Sequence, residues 1–207
     1  MSSVPAESPP PIRRRMAPEA RHQQLLDVAE RLFVADAFAT VSMEDIARAA
    51  GVTRPIVYKH FETKEGAYVA CVRRIYERYD AALTSRIDPT LATVEQLRAG
   101  GDFYFSTLQA DKGRWVLLFT SASVLTGAPA QELTAIRFAH IETIRVLLAR
   151  AAPAAPPERL EASAHAISGA AERLGHWWLS RPDLSRDVVV DHYVSIVLEG
   201  LAPWLEH

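Results

Sequence analysis

The chain has 207 residues, 49% of them hydrophobic, with 23 Lys and Arg against 25 Asp and Glu and a formal net charge of −2. That length permits one or two domains with a real core, the single cysteine excludes an intrachain disulfide, and the slightly acidic balance excludes a uniformly basic coat for polyanions. No apolar run is long enough to span a membrane and the N-terminus has no signal-peptide core, so a cytoplasmic protein with no membrane partner is expected.

Residues 1–12, which include SSVPAESPPP, are expected to form a disordered tail. Arg13, Arg14 and Arg15 follow, either as an arm for a minor groove or phosphates or as a solvated charge run. Pro18 and Glu19 mark the first helix start. Its apolar stripe is Leu25, Leu26, Ala29, Leu32 and Phe33, with Phe38 and Val41 closing over it.

Ser42 is placed to cap the next helix. Asp45, three residues on, gives a weak capping box, because Glu or Gln is preferred there. Ile46, Ala47 and Ala50 form a narrow buried face, and Gly51 allows the sharp turn that follows. Thr53 is the candidate cap of a third helix, with Pro55 in its first turn. Val57 and Phe61 face inward, while Arg54, Ile56, Tyr58, Lys59 and His60 project outward or sideways. An exposed Ile56 among basic residues suits a thymine methyl, and Lys64, just past the helix, suits a phosphate. Two short helices around a glycine turn, carrying such a cluster, form the helix-turn-helix arrangement that offers a helix to the major groove. A plain helical hairpin in a bundle is the competing reading, and the agreement of cap, turn glycine, early proline and polar cluster favours DNA. The charge is local. Residues 1–64 hold nine Lys and Arg against eight Asp and Glu, and two of the chain's three lysines lie in this motif.

The segment from Arg21 to Tyr68 resembles the tetracycline-repressor (TetR-like) family of bacterial transcriptional regulators. The resemblance rests on the Leu-x-x-Ala-x-x-x-Phe pattern ending at Phe33, Ile46-Ala47, Ala50-Gly51-Val52, Tyr58, Phe61 and Lys64-Glu65. It implies that Arg54, Pro55, Ile56, Lys59 and His60 face DNA, that Tyr58 and Lys64 hold phosphates, and that the protein is a homodimer with an effector pocket in its C-terminal helices. Together with the capping residues Ser42 and Thr53, these make up the expected DNA-binding set. Ala37 departs from the family, which usually has glycine there.

The remainder reads as helical throughout: 66–85, then a break at Asp88-Pro89, 93–110 interrupted by Gly100-Gly101, 111–123, a loop at 127–129, 130–151, a loop at 153–157, 158–180 and 184–204. The penultimate helix has a heptad stripe of Leu160, Ala164, Ile167, Ala171, Leu174 and Trp178, and the last helix offers Tyr193, Val197 and Leu201. Such seams pair with copies in a second chain or are filled within one monomer, and the resemblance favours the dimer interface. Glu161, His165, Ser168, Glu172 and His176 share one line, without the Glu-x-x-His spacing of di-iron bundles, and no metal site is expected. His140 sits on an apolar stripe with Ile144, next to Arg137. With Phe103, Tyr104, Trp115, Phe119 and Trp177 from other helices it forms a candidate effector pocket for an apolar or aromatic small molecule. Cys71 is expected to be a buried structural thiol.

The expected fold class is thus all-α. A three-helix helix-turn-helix domain at 13–65 precedes a helical ligand-binding and dimerisation domain at 66–207, and no cofactor is expected. The expected function is a sequence-specific transcriptional repressor, released from a near-palindromic double-stranded DNA operator by a small effector. The alternative is a helical small-molecule-binding protein, or an activator without ligand-released repression. No Gly-x-Ser-x-Gly, His-Glu-x-x-His, phosphate-loop or dinucleotide fingerprint supports an enzyme.

Overall fold

The computed structural model describes residues 16–36, 38–120 and 125–205, with the side chains of 119–120 and 199–205 excepted. Among the described residues there are nine helices and no strand. They are α1 (Pro18–Ala35), α2 (Met43–Ala50), α3 (Arg54–Phe61), α4 (Lys64–Arg86), α5 (Thr93–Ala110), α6 (Lys112–Thr120), α7 (Gly127–Ala151), α8 (Pro157–Leu179) and α9 (Arg186–Leu205). The N-terminal tail with Arg13 to Arg15, Ala37, and the side chains of Phe119 and Leu201 lie outside the described residues.

Local chemistry sets the first boundaries. Ser42 Oγ accepts from the Asp45 N–H at 3.2 Å, and Asp45 Oδ2 accepts from the Ser42 N–H at 3.1 Å, so both arms of the capping box are made. The shorter aspartate suffices. Gly51 ends α2 at φ +65°, the left-handed backbone that glycine adopts without a Cβ clash. α4 begins two residues before the expected Gly66, because the Thr63 hydroxyl accepts from the Gly66 N–H at 2.9 Å and caps it.

Two cores stack along the chain. The first joins α1, α2 and α3 through Leu25, Ala29, Ile46 and Val57, and it includes Tyr68, Cys71 and Val72 from the first half of α4. Leu117 and Leu118 of α6 and Leu133 and Ile136 of α7 extend it. The second surrounds the fully buried Phe105 of α5. Tyr104, Trp178 and Tyr193 stand edge-on to that ring, with centroids at 5.1, 5.9 and 5.8 Å. Edge-on pairs contribute about 0.5–1.5 kcal/mol each beyond burial.

Two expected interruptions are absent. α5 runs unbroken through Gly100-Gly101, where a Cβ on Gly101 would stand 2.7 Å from the Tyr193 ring. The glycine is there for close packing of α9, which outweighs its poor helix propensity. The expected loop at 127–129 is the first turn of α7, with Pro129 inside it, where a proline costs no hydrogen bond.

A buried ionic group ties the reading head to the rest. Glu30 of α1, 4% exposed, accepts from Arg74 of α4 at 2.5 Å and from Arg114 of α6 at 2.7 Å. Arg74 also holds Asp27 at 2.7 Å.

Candidate nucleic-acid interface and ligand cavity

α3 is pinned by one side only. Val57 and Phe61 are buried against α1 and α2, while Arg54, Pro55, Tyr58 and Lys59 are exposed along the outer edge. Arg54 is held ready by its neighbours. It forms an ion pair with Glu44 of α2, donates to the Tyr58 hydroxyl at 3.1 Å and lies 5.2 Å from that ring's centroid. The Tyr58 hydroxyl and the Glu44 carboxylate raise its pKa further, so it stays a cation. Glu44 is absent from the expected set, although any anion that displaces it must compete for Arg54.

Other expected DNA-face residues sit differently. Ile56 is half-buried and packs against the reading-head core, so it is not the exposed methyl carrier anticipated from sequence. His60 is half-buried, with its ring 5.5 Å from that of His22. Burial, then His22, Lys59 and Arg21, lower its pKa, so it presents a neutral imidazole rather than a third cation. Lys64 lies just past α3 and is also the first residue of α4. Its ammonium donates to the carbonyls of Phe38 at 2.9 Å and Ala39 at 3.3 Å, 4.4 Å from the Phe38 ring centroid. It therefore braces the α1–α2 connection with two of its three donors. The Ser42 hydroxyl donates to Asp45 at 2.6 Å, which holds that carboxyl below the usual range. Thr53 is exposed and makes no side-chain cap bond; Pro55 and the backbone start α3 without it.

Behind the reading head, α4, α5, α7 and α8 enclose a cavity of about 590 Å³. Of the expected pocket residues, Tyr104, His140 and Ile144 line it. Phe103 and Trp115 line a neighbouring cavity of about 190 Å³, which shares Tyr79, Tyr104 and His140 with the larger one. Trp115 Nε1 donates to the Tyr104 hydroxyl at 2.8 Å, and Phe103 stacks on Tyr79 at 4.9 Å. Two expected residues are elsewhere. Arg137 donates to the Leu118 carbonyl at 2.6 Å and lines neither cavity. Trp177 is 37% exposed, on the far side of α8, beside His192. The helical turn that buries Trp178 rotates its neighbour away from the interior.

Sequence reasoning missed Tyr79, Gln96, Arg159 and Ser163 in the cavity wall, and Asp80, whose carboxylate meets His140 Nδ1 at 2.6 Å. Spacing alone gives no signal for contacts between helices so far apart in the chain. Burial raises the pKa of Tyr79, Tyr104 and Tyr193, so these phenols stay neutral.

The expected dimer seam also faces inward. Leu160, Ala164, Ile167, Ala171, Trp178, Tyr193 and Val197 are buried within the chain, and Leu174 packs half-buried against the same core. The heptad stripe is satisfied by α5, α7 and α9 of the same chain. The outer face of α8 instead shows Ala162, Ala166, Gly169, Arg173 and Trp177, beside Val188, His192 and Ile196 of α9. His165 and His176 rest against Phe138 and Trp115, at 5.9 and 4.6 Å.

These features have counterparts in known proteins. The family model for bacterial regulatory proteins of the tetR family matches residues 25–71, and the tetracyclin repressor-like C-terminal domain matches residues 93–200. The HTH-type transcriptional activator FasR of Mycolicibacterium smegmatis is 22% identical over 188 residues, covering 91% of this chain and 86% of that protein. A TetR-like transcriptional regulator from Rhodococcus sp. RHA1 superposes with a TM-score of 0.66 at 26% identity, over 91% of this chain and 99% of that one. FadR from Bacillus subtilis, solved in complex with stearoyl-CoA, has the same fold, with a TM-score of 0.74 at 14% identity over 86% of this chain and 98% of the other. With its N-terminal and C-terminal regions both matched, the chain belongs to the tetR family of bacterial regulatory proteins.

Proposed function

We propose that this protein is a homodimeric repressor that inserts α3 into the major groove and leaves its operator when a small molecule fills the α4–α5–α7–α8 cavity. The observation that carries this reading is the span of α4. Its first half supplies Tyr68 and Cys71 to the reading-head core, and its second half supplies Tyr79 and Leu83 to the cavity wall. At about 1.5 Å of rise per residue, its 23 residues form one lever from cavity to DNA head. A ligand that prefers one setting of α4 shifts the head by its differential affinity for the two states and by no more.

On α3, Arg54 and Lys59 supply the charge, Pro55 and Tyr58 the contact surface, and Thr53 an exposed hydroxyl. Arg54 exchanges Glu44 for a base edge or phosphate. The remaining Lys64 donor lies on the flank for a phosphate. For dimerisation the outer face of α8 and α9 takes the role first given to the heptad seam. Ala162, Ala166 and Gly169 allow close approach of a second copy, and Trp177 and Ile196 give it apolar anchors. Two heads then meet half-sites one DNA turn or more apart on a near-palindrome. Because FasR is named an activator, activation by the same DNA head is the second reading.

The test is to select bound fragments from genomic DNA with the purified protein, then titrate the enriched site with wild type and with Tyr58→Ala/Lys59→Ala. The reading expects a single enriched near-palindrome and a loss of at least tenfold in the double variant. Unchanged affinity would remove α3 from the interface.

A further inference from the structure

On the reading that the larger cavity is the effector site, its closed end selects the polar group of the ligand. The cavity is a slot parallel to its helices. On α7 it is lined from His140 through Ile144 and Leu147 to Ala151, and on α5 from Tyr104 through Leu97 to Thr93. Each stretch rises about 16 Å at 1.5 Å per residue. The end at Tyr104, His140 and Ala171 is buried, whereas Pro153, Ala154 and Pro156 at the other end are exposed. Between the ends the wall is mainly aliphatic, with Leu83, Leu97, Leu148 and Ile167. A fully extended chain advances about 1.2 Å per bond, as the three backbone bonds of an extended residue do, so the slot takes a chain of roughly 13 bonds.

Two polar side chains are built into the closed end. His140, 8% exposed, has its Nδ1 2.6 Å from Asp80 Oδ1, and the Thr143 hydroxyl lies 3.3 Å from the other carboxylate oxygen. A carboxylate only accepts, so Nδ1 carries the proton and the Nε2 lone pair of the neutral imidazole is left on the opposite edge of the ring. That ring lines both the larger and the smaller cavity. Tyr104, on the same shared wall, accepts from Trp115 Nε1 at 2.8 Å, so its own O–H remains as a donor. The closed end thus presents one acceptor and one donor. A buried acceptor left without a donor lowers affinity roughly five- to 150-fold.

From this we infer that the ligand is an uncharged aliphatic alcohol, bound with its hydroxyl inward on His140 Nε2 and Tyr104 and its chain running toward the 152–156 connection. A hydroxyl both donates and accepts, so it answers both groups. An ether, ester or thioester brings acceptors only and leaves Nε2 unmatched. A carboxylate does the same, and it also brings a negative charge toward the one that Asp80 holds behind the imidazole.

The experiment is calorimetric titration of the full-length protein at pH 8 into 1-dodecanol, its ether isomer 1-methoxyundecane, dodecanoate and dodecanoyl-coenzyme A, each held below its solubility or aggregation limit. Wild type is expected to bind the alcohol at least tenfold tighter than any of the other three. The double variant His140→Phe/Asp80→Leu removes the acceptor together with the carboxylate behind it. It is expected to bind the alcohol no better than the ether, and the ether as wild type does. Unchanged ether binding shows that the variant is folded with its cavity intact; should it fail to fold, the wild-type order of the four probes still decides. Equal binding of ether and alcohol by wild type, tighter binding of the acid or the thioester, an equal loss for alcohol and ether in the double variant, or no binding of any probe would overturn the inference. Operator binding measured on the same preparation separates the two readings. If DNA binds and the alcohol does not, the ligand class fails alone; if the alcohol binds in the expected order and no DNA does, the regulator reading fails alone.

Discussion

Replacing Glu30 by alanine tests whether the buried ionic group holds the reading head to the C-terminal helices. Glu30 is 4% and Arg74 7% exposed, and the Arg74 Nε is already buried without a hydrogen-bond partner among the described residues. Removing the carboxylate strands that guanidinium in the interior, a change that costs about 3–5 kcal/mol when a buried pair loses one partner. Two features set the expected value at the low end. Arg74 keeps Asp27 at 2.7 Å, and the Arg114 side chain, 45% exposed, returns to water, where a surface pair is worth at most about 1 kcal/mol. The expected loss is therefore about 3 kcal/mol. Urea unfolding at fixed protein concentration reads it as a shift in midpoint at constant slope. The double variant Glu30→Leu/Arg74→Met, which removes both charges, is expected to recover most of that stability. A loss below about 1 kcal/mol for Glu30→Ala, or no recovery in the double variant, would refute the assignment.

Four further outcomes follow from packing and burial. Gly101→Ala drives a Cβ to within 2.7 Å of the Tyr193 ring and is expected to cost about 1–3 kcal/mol by overpacking. Gly100→Ala, whose Cβ meets nothing closer than 3.7 Å, is expected to raise stability by up to about 1 kcal/mol through helix propensity; thermal unfolding of the pair checks both. Ile196, 55% exposed on the outer face of α9, becomes a charge in that face when changed to Glu; on the proposed α8–α9 interface, sedimentation is expected to show dimers for wild type and folded monomers for the variant. Burial pushes the Cys71 thiol up to about 12, so a disulfide reagent at pH 8 is expected to leave the native protein unlabelled and to react fully in denaturant; prompt native labelling would contradict the buried placement.

The parts legible in the sequence are those fixed by local chemistry. Ser42, Asp45, Gly51 and Pro55 set the ends of α2 and α3 through contacts within a few residues. Val57 and Phe61 point inward because helical spacing leaves them no other side. The heptad stripe of α8 identified an apolar face without identifying its partner, since α5, α7 and α9 of the same chain and the helices of a second chain present similar surfaces. Gly100-Gly101 suggested a break because propensity is local, while the ring that needs Gly101 comes from 92 residues further on. Trp177 suggested a cavity wall because large aromatics favour burial, and the α8 register turned it out. Arg159 and Asp80 carried no signal, because each gains its role from helices distant in sequence.

The most direct measurement is the salt dependence of operator affinity for wild type and Lys59→Ala, followed by fluorescence anisotropy. Each phosphate neutralised by a side chain contributes about 0.9 to the slope of log K against log salt. In the proposed dimer, with Lys59 exposed on each α3, the variant is expected to bind more weakly and to lose about 1.8 from the slope. The same affinity and the same slope in the variant would mean that this helix does not lie on DNA.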